Sequence, residues 1–60
     1  MDAFYKNAAI ASIDATYKLE RFWLDVEYEQ ASDDIIRQEV KHKIELLNIK
    51  AHSQLKELGL

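Results

Sequence analysis

Apolar residues recur every three or four positions along most of the chain, the spacing at which side chains share one face of an α-helix. No segment alternates apolar and polar residues over the length of a strand, and no Asn-Gly or Asp-Gly turn is present. The first half contains one apolar stripe: Ile10, Ile13, Tyr17, Leu24, Tyr28 and Ala31. The second half contains another: Ile36, Val40, Ile44, Leu47, Ala51, Leu55 and Leu58. The pattern predicts an all-α fold.

The two stripes do not continue into each other. On one unbroken helix, the second stripe would lie roughly 150° around the axis from the first, at about 100° per residue. A break near Ser32 realigns the two faces, whereas a single continuous helix is the alternative. We therefore predict a two-helix antiparallel hairpin, a single domain over residues 1–60, with helices at about residues 2–30 and 33–58.

Residues with capping chemistry stand where these helices begin and end. Asp2 is a candidate N-cap for the first helix. The run Ser32-Asp33-Asp34 offers a capping hydroxyl or carboxylate, followed by negative charge near the positive end of the next helix dipole. Gly59, the chain's one glycine, suits the C-terminal end of the second helix.

The first helix carries more apolar surface than one neighbouring helix covers. A second edge runs along it: Phe4, Ala8, Ala11, Ala15, Leu19, Phe22 and Val26, with Tyr5 and Trp23 between the two edges. The second helix has a shorter additional edge: Ile35, Leu46, Ile49 and Leu60. We therefore expect the hairpin to homodimerise into a four-helix bundle. The predicted interface residues are Tyr17, Phe22, Trp23, Val26, Ile36, Val40 and Leu47.

The composition narrows the ways in which so short a chain is stabilised. The 60 residues include no cysteine, which excludes disulfides, thiolate metal sites and cysteine nucleophiles. Self-association is therefore the leading means of stabilisation. The net charge of −3 gives little electrostatic attraction to nucleic acid or to an anionic membrane. Because residues 1–20 lack the features of a signal peptide and no stretch can span a bilayer, we expect a cytoplasmic protein.

Three polar residues interrupt the apolar edges and suggest a second function. Glu39 and His42 lie three positions apart, so their side chains are neighbours on one helix face. A hairpin turning at Ser32 brings Glu20 to nearly the height of His42. In a homodimer this set resembles the di-iron or di-manganese carboxylate bundles of the ferritin-like group. The resemblance implies iron or manganese at Glu20, Glu39 and His42. The alternative is a local Glu39–Lys43 pair, with Glu20 reaching solvent or pairing with a basic residue of a neighbouring helix.

The sequence gives less support to catalysis, phosphate binding or RNA binding. No nucleophile and base stand in a recognisable motif, and the lone glycine excludes a phosphate-cradling loop. Acidic residues separate the basic ones of the second helix, so a small acidic RNA-binding hairpin dimer is only a third hypothesis. The sequence favours a non-enzymatic interaction or regulatory module that binds itself and another protein. The aromatic edge around Phe22, Trp23 and Val26 is the expected recognition surface, with dimer packing as the alternative role.

Overall fold

A computed structural model of the protein describes residues 2–59, with side chains over residues 3–59. Two helices, α1 (Asp2–Gln30) and α2 (Asp34–Glu57), account for nearly all of this range. They pack against each other, and the prediction of an all-α hairpin is confirmed. Their order is antiparallel: Glu27 near the end of α1 approaches Lys43 early in α2, whereas Tyr17 contacts the later Asn48. The Cα atoms fill a flat envelope of 49 × 16 × 8 Å.

The connection between the helices lies where the stripe mismatch predicts it. Asp33 adopts an extended backbone conformation, and its carboxylate accepts a hydrogen bond of 2.7 Å from the backbone N–H of Ile35. Asp33 is therefore the N-cap of α2, the middle residue of the three candidates. The Arg37 guanidinium donates to the Ala31 carbonyl at 3.1 Å and to the Asp34 carboxylate at 2.8 Å. This arginine ties the end of α1 to the first turn of α2.

The C-terminal end of α2 matches the glycine signal. The N–H groups of Leu58 and Gly59 donate to the carbonyls of Leu55 and Lys56. Gly59 has a φ of 84°, a left-handed conformation that side chains with a Cβ rarely adopt. The predicted cap at Asp2 concerns a side chain outside the described ones, and Leu60 also lies outside the described residues.

The contact between the helices is narrow. Among the residues described, three are buried, namely Ala31, Val40 and Leu47. Most of both predicted stripes is half-buried along the same seam. At the loop end, Tyr28 and Ile36 are instead exposed. The hairpin thus has a seam of apolar contacts without a second layer over it.

Neither helix offers a long enough run of apolar residues to cross a membrane, over the part of the chain that the structure describes.

Candidate interaction surfaces

The side of α1 that faces away from α2 is apolar along most of its length. Leu19 follows the seam residue Tyr17 by two positions, about 200° of helical turn, and so lies on the far side of the helix. We call this surface the outer α1 face. Its members are Phe4, Tyr5, Ala8, Ala11, Ala15, Leu19, Phe22, Trp23 and Val26. All are exposed except the half-buried Val26, and Phe4 reaches 81 % exposure.

Large and small side chains are segregated along the outer α1 face. Three alanines, Ala8, Ala11 and Ala15, occupy its middle. Beyond them the large side chains of Leu19, Phe22 and Trp23 follow towards the C-terminal end. The rings of Phe22 and Trp23 meet edge to face, with centroids 5.2 Å apart. This aromatic pair forms a fixed, water-exposed projection of the kind enriched at binding surfaces.

A smaller apolar surface lies on α2. Ile35, Leu46 and Ile49 are each more than half exposed, and we call them the outer α2 patch. The patch holds fewer large side chains than the outer α1 face and no aromatic one. The two helices therefore expose apolar surface on both edges of the flat hairpin.

A shallow groove of about 460 Å³ crosses one flat side of the hairpin, between Trp23 and Leu46. Glu20, Lys43 and Lys50 also line it, so the apolar floor has charged side chains around it.

Acidic residues of α1 and basic residues of α2 lie on this side of the hairpin, at the same separation along each helix. Glu20 and Glu27 are seven residues apart, as are Lys43 and Lys50. The Lys43 ammonium lies 3.9 Å from the Glu27 carboxylate, and Lys50 shares the groove wall with Glu20. The repeated spacing places one Glu–Lys ion pair across the seam and a second glutamate and lysine on the same groove, an arrangement that the sequence patterns did not identify. The sequence contains the seven-residue spacing on both helices, but which glutamate faces which lysine follows only from the relative height of the helices.

The opposite flat side is held by polar contacts. The Tyr17 hydroxyl donates to the Asn48 side-chain oxygen at 2.5 Å, and Arg21 donates to the same hydroxyl at 3.3 Å. Hydrogen bonds to Asp25, and secondarily to Tyr17, raise the pKa of the half-buried Arg21 side chain. This side also carries a groove of about 480 Å³, whose lining includes Ile10, Ile13 and Leu55 beside Tyr17 and Asn48.

Asp14 and Lys18, one turn apart on α1, form an ion pair on this side. Its two charged groups lie 2.9 Å apart, and the hydrogen bond and attraction to Asp14 raise the pKa of Lys18. Both side chains are exposed, so the pair orders the surface more than it stabilises the fold.

The predicted interface residues fall into two groups. Val40 and Leu47 are covered by α1 within the chain, and Tyr17 is half-buried in the same seam. Phe22, Trp23, Val26 and Ile36 retain surface that a partner can contact. The free surface thus lies mainly on α1.

The predicted metal ligands do not meet within one chain. Glu20, Glu39 and His42 are all exposed, and the side chains described over residues 3–59 include no group of three acidic or histidine residues close enough to hold an ion. Across the hairpin from Glu20 stand Leu47 and Lys50. Leu47 lies about 7 Å further along α2 than His42, at 1.5 Å per residue. The His42 imidazole instead lies 4.0 Å from the Glu45 carboxylate. A site shared between two copies stays a prediction.

Two basic side chains of α2 have acidic partners. Arg37 is paired with Asp34, and Lys43 approaches Glu27 rather than Glu39. The mixed charge is that of a solvated helix surface. RNA binding likewise stays a hypothesis.

Comparison of the chain with known protein families, curated proteins and solved structures found no similar protein.

Proposed function

We propose that this chain is a small non-enzymatic interaction module that works as a homodimer of helical hairpins and binds another protein. The supporting observation is the distribution of its apolar side chains. Ten large ones are exposed, whereas only Ala31, Val40 and Leu47 are buried among the residues described. Exposed apolar surface of this extent on a small protein is typical of an association site.

The exposed area supports the same proposal. The hairpin exposes 4959 Å², whereas a compact folded monomer of its 7.0 kDa mass exposes about 4,000 Å². The difference of about 900 Å² is close to the roughly 800 Å² that each partner contributes to an interface of standard size. Contact with one second copy of the chain is therefore sufficient to bury the additional exposed area.

Sedimentation equilibrium tests the proposal, because it measures mass independently of shape. Across chain concentrations from about 1 μM to about 1 mM, we expect a species of twice the 7.0 kDa chain mass. Thermal unfolding followed by circular dichroism should shift to higher temperature as the concentration rises, since association stabilises the folded state by mass action. A 7.0 kDa species throughout, with concentration-independent unfolding, would contradict the homodimer.

Substitution of Trp23 by alanine separates the two roles considered for the aromatic edge. If the edge packs in the dimer, the Trp23→Ala variant loses dimer mass. If the edge recognises a different protein, the dimer is retained. Leu46→Ala, on the other wall of the groove, is the matched comparison.

A further inference from the structure

We infer that the outer α1 face is covered by the same face of a second copy, with the two α1 helices running antiparallel. This inference rests on the proposed homodimer and adds the surface and the orientation. The outer α1 face holds five of the large exposed apolar side chains, whereas the outer α2 patch holds three. It also extends from Phe4 to Val26, about 33 Å at 1.5 Å per residue. No other exposed apolar surface in the described range is as long.

The order of side-chain sizes selects the antiparallel orientation. When two such helices run in opposite directions with their centres near residue 17, Leu19 of each lies opposite Ala15 of the other. Within one residue of this register, about 1.5 Å along the axis, Phe22 lies opposite Ala11, so the large side chains after Ala15 meet the small ones before it. Such alternation lets facing side chains interdigitate at the density of a protein core. A parallel pair aligns Phe22 with Phe22 and alanine with alanine, which produces overpacking and voids together.

Charge at the ends of α1 favours the same orientation. The last turn of α1 contains no basic residue, and Asp25, Glu27 and Glu29 make this end acidic. The helix dipole adds negative partial charge at the C-terminal end and positive partial charge at the N-terminal end. An antiparallel pair places the acidic end of each α1 beside the positive end of its partner. A parallel pair places the two acidic ends side by side, where like charges repel.

A single spin label tests the orientation. The chain contains no cysteine, so a Ser32→Cys variant carries one label in the connection between the helices, at an exposed residue outside both apolar surfaces. In the antiparallel dimer the two connections lie at opposite ends, about 45 Å apart along the axis. In a parallel dimer they share one end, within roughly 30 Å, the width of four helices at 8–10 Å spacing. Pulsed dipolar spectroscopy distinguishes these distances.

A matched pair of substitutions tests the surface. Leu19 and Ile49 are exposed by 60 % and 64 %, on the outer faces of α1 and α2 respectively. We expect Leu19→Ser to weaken the dimer at least about tenfold, measured by sedimentation. Ile49→Ser should leave it nearly unchanged. Circular dichroism at high concentration checks that both variants remain helical.

The outcomes separate this inference from the proposed function. A wild-type chain that stays monomeric contradicts both. A wild-type dimer with labels within roughly 30 Å overturns the orientation and leaves the homodimer intact. A dimer weakened by Ile49→Ser but not by Leu19→Ser contradicts the assignment of the outer α1 face as the contact. Retention of the dimer in both variants contradicts it too. A distance near 45 Å together with selective loss in Leu19→Ser supports the inference.

Discussion

The Tyr17 hydroxyl and the Asn48 side-chain oxygen form a hydrogen bond between residues 31 positions apart, which joins the middle of α1 to the middle of α2. Because the bond is directional, it holds the two helices at one relative height, which apolar contacts alone do not specify. Arg21 donates to the same hydroxyl from the next turn of α1. The Tyr17 hydroxyl thus links the side chains of Arg21 and Asn48.

Removal of this hydroxyl should destabilise the hairpin. We expect Tyr17→Phe to lower the free energy of unfolding by about 1 kcal/mol, the usual net value of one hydrogen bond. Urea unfolding at fixed protein concentration measures the change. Tyr28→Phe is the control, since the Tyr28 hydroxyl makes no hydrogen bond within residues 2–59. Equal losses in the two variants would show that the Asn48 contact contributes nothing.

Val40 is the residue most completely enclosed by the seam, with 2 % of its surface exposed. Its truncation to alanine removes two methyl groups and leaves a cavity, so Val40→Ala should lower the free energy of unfolding by about 2 kcal/mol. The matched control is Ile35→Ala on the outer α2 patch, which should change it by less than about 0.5 kcal/mol. Urea unfolding of both variants is the measurement. A larger loss for Ile35→Ala would place the main buried contact outside the seam.

Asp33, rather than its neighbour Ser32, caps α2. We expect Asp33→Ala to destabilise the protein by about 1 kcal/mol, because the Ile35 N–H loses its acceptor. Ser32→Ala should have little effect, since the exposed Ser32 side chain makes no hydrogen bond in the described structure. Thermal unfolding of the two alanine variants compares them directly. A larger effect of Ser32→Ala would contradict the assignment of the N-cap to Asp33.

The size pattern of the outer α1 face allows a compensating pair of substitutions. In the inferred dimer, Ala11 lies opposite Phe22 of the second copy, so Ala11→Phe should overpack the contact and weaken dimerisation about tenfold. The double variant Ala11→Phe/Phe22→Ala exchanges the two sizes and should recover most of the affinity. Ser53→Phe adds the same ring to an exposed position on α2 and serves as the control. Tighter dimerisation of Ala11→Phe would indicate apolar adhesion without specific packing.

An interaction module and a metal bundle differ in metal content. We expect the purified protein to bind less than about 0.2 equivalents of iron, manganese or zinc after incubation with each ion and removal of the excess. The reason is that Glu20 shares its groove with Lys43 and Lys50, whose positive charge disfavours a cation there. Elemental analysis measures the content. Two ions per dimer, lost in His42→Ala but not in His52→Ala, would instead favour the carboxylate-bundle hypothesis.

Helical periodicity predicted the two helices and the residues of their seam, because the angle around an axis follows directly from residue number. The break near Ser32 was predictable for the same reason, since the stripes mismatch there. Capping chemistry narrowed the N-cap to three adjacent residues but did not choose Asp33, because all three side chains carry a suitable oxygen.

The height of one helix relative to the other was not predictable from these patterns. A turn centred on Ser32 places Glu20 near His42, whereas the structure places Leu47 and Lys50 across from it. The difference follows from contacts that periodicity does not contain, including the Tyr17–Asn48 hydrogen bond. The candidate metal set depended on this height, and the Glu–Lys pairs could be identified only after it was known.

The flat shape of the hairpin, 8 Å in its thinnest Cα dimension, has a consequence for how the protein responds to its own abundance. A body one helix thick buries few side chains, and in the proposed homodimer a second chain covers more of them. At concentrations below the Kd of such a dimer, the amount of assembled protein rises with the square of the amount of chain, as mass action requires. Doubling the expression of the chain then gives about four times as much dimer. The rate of synthesis alone thus changes the amount of assembled protein more than proportionally.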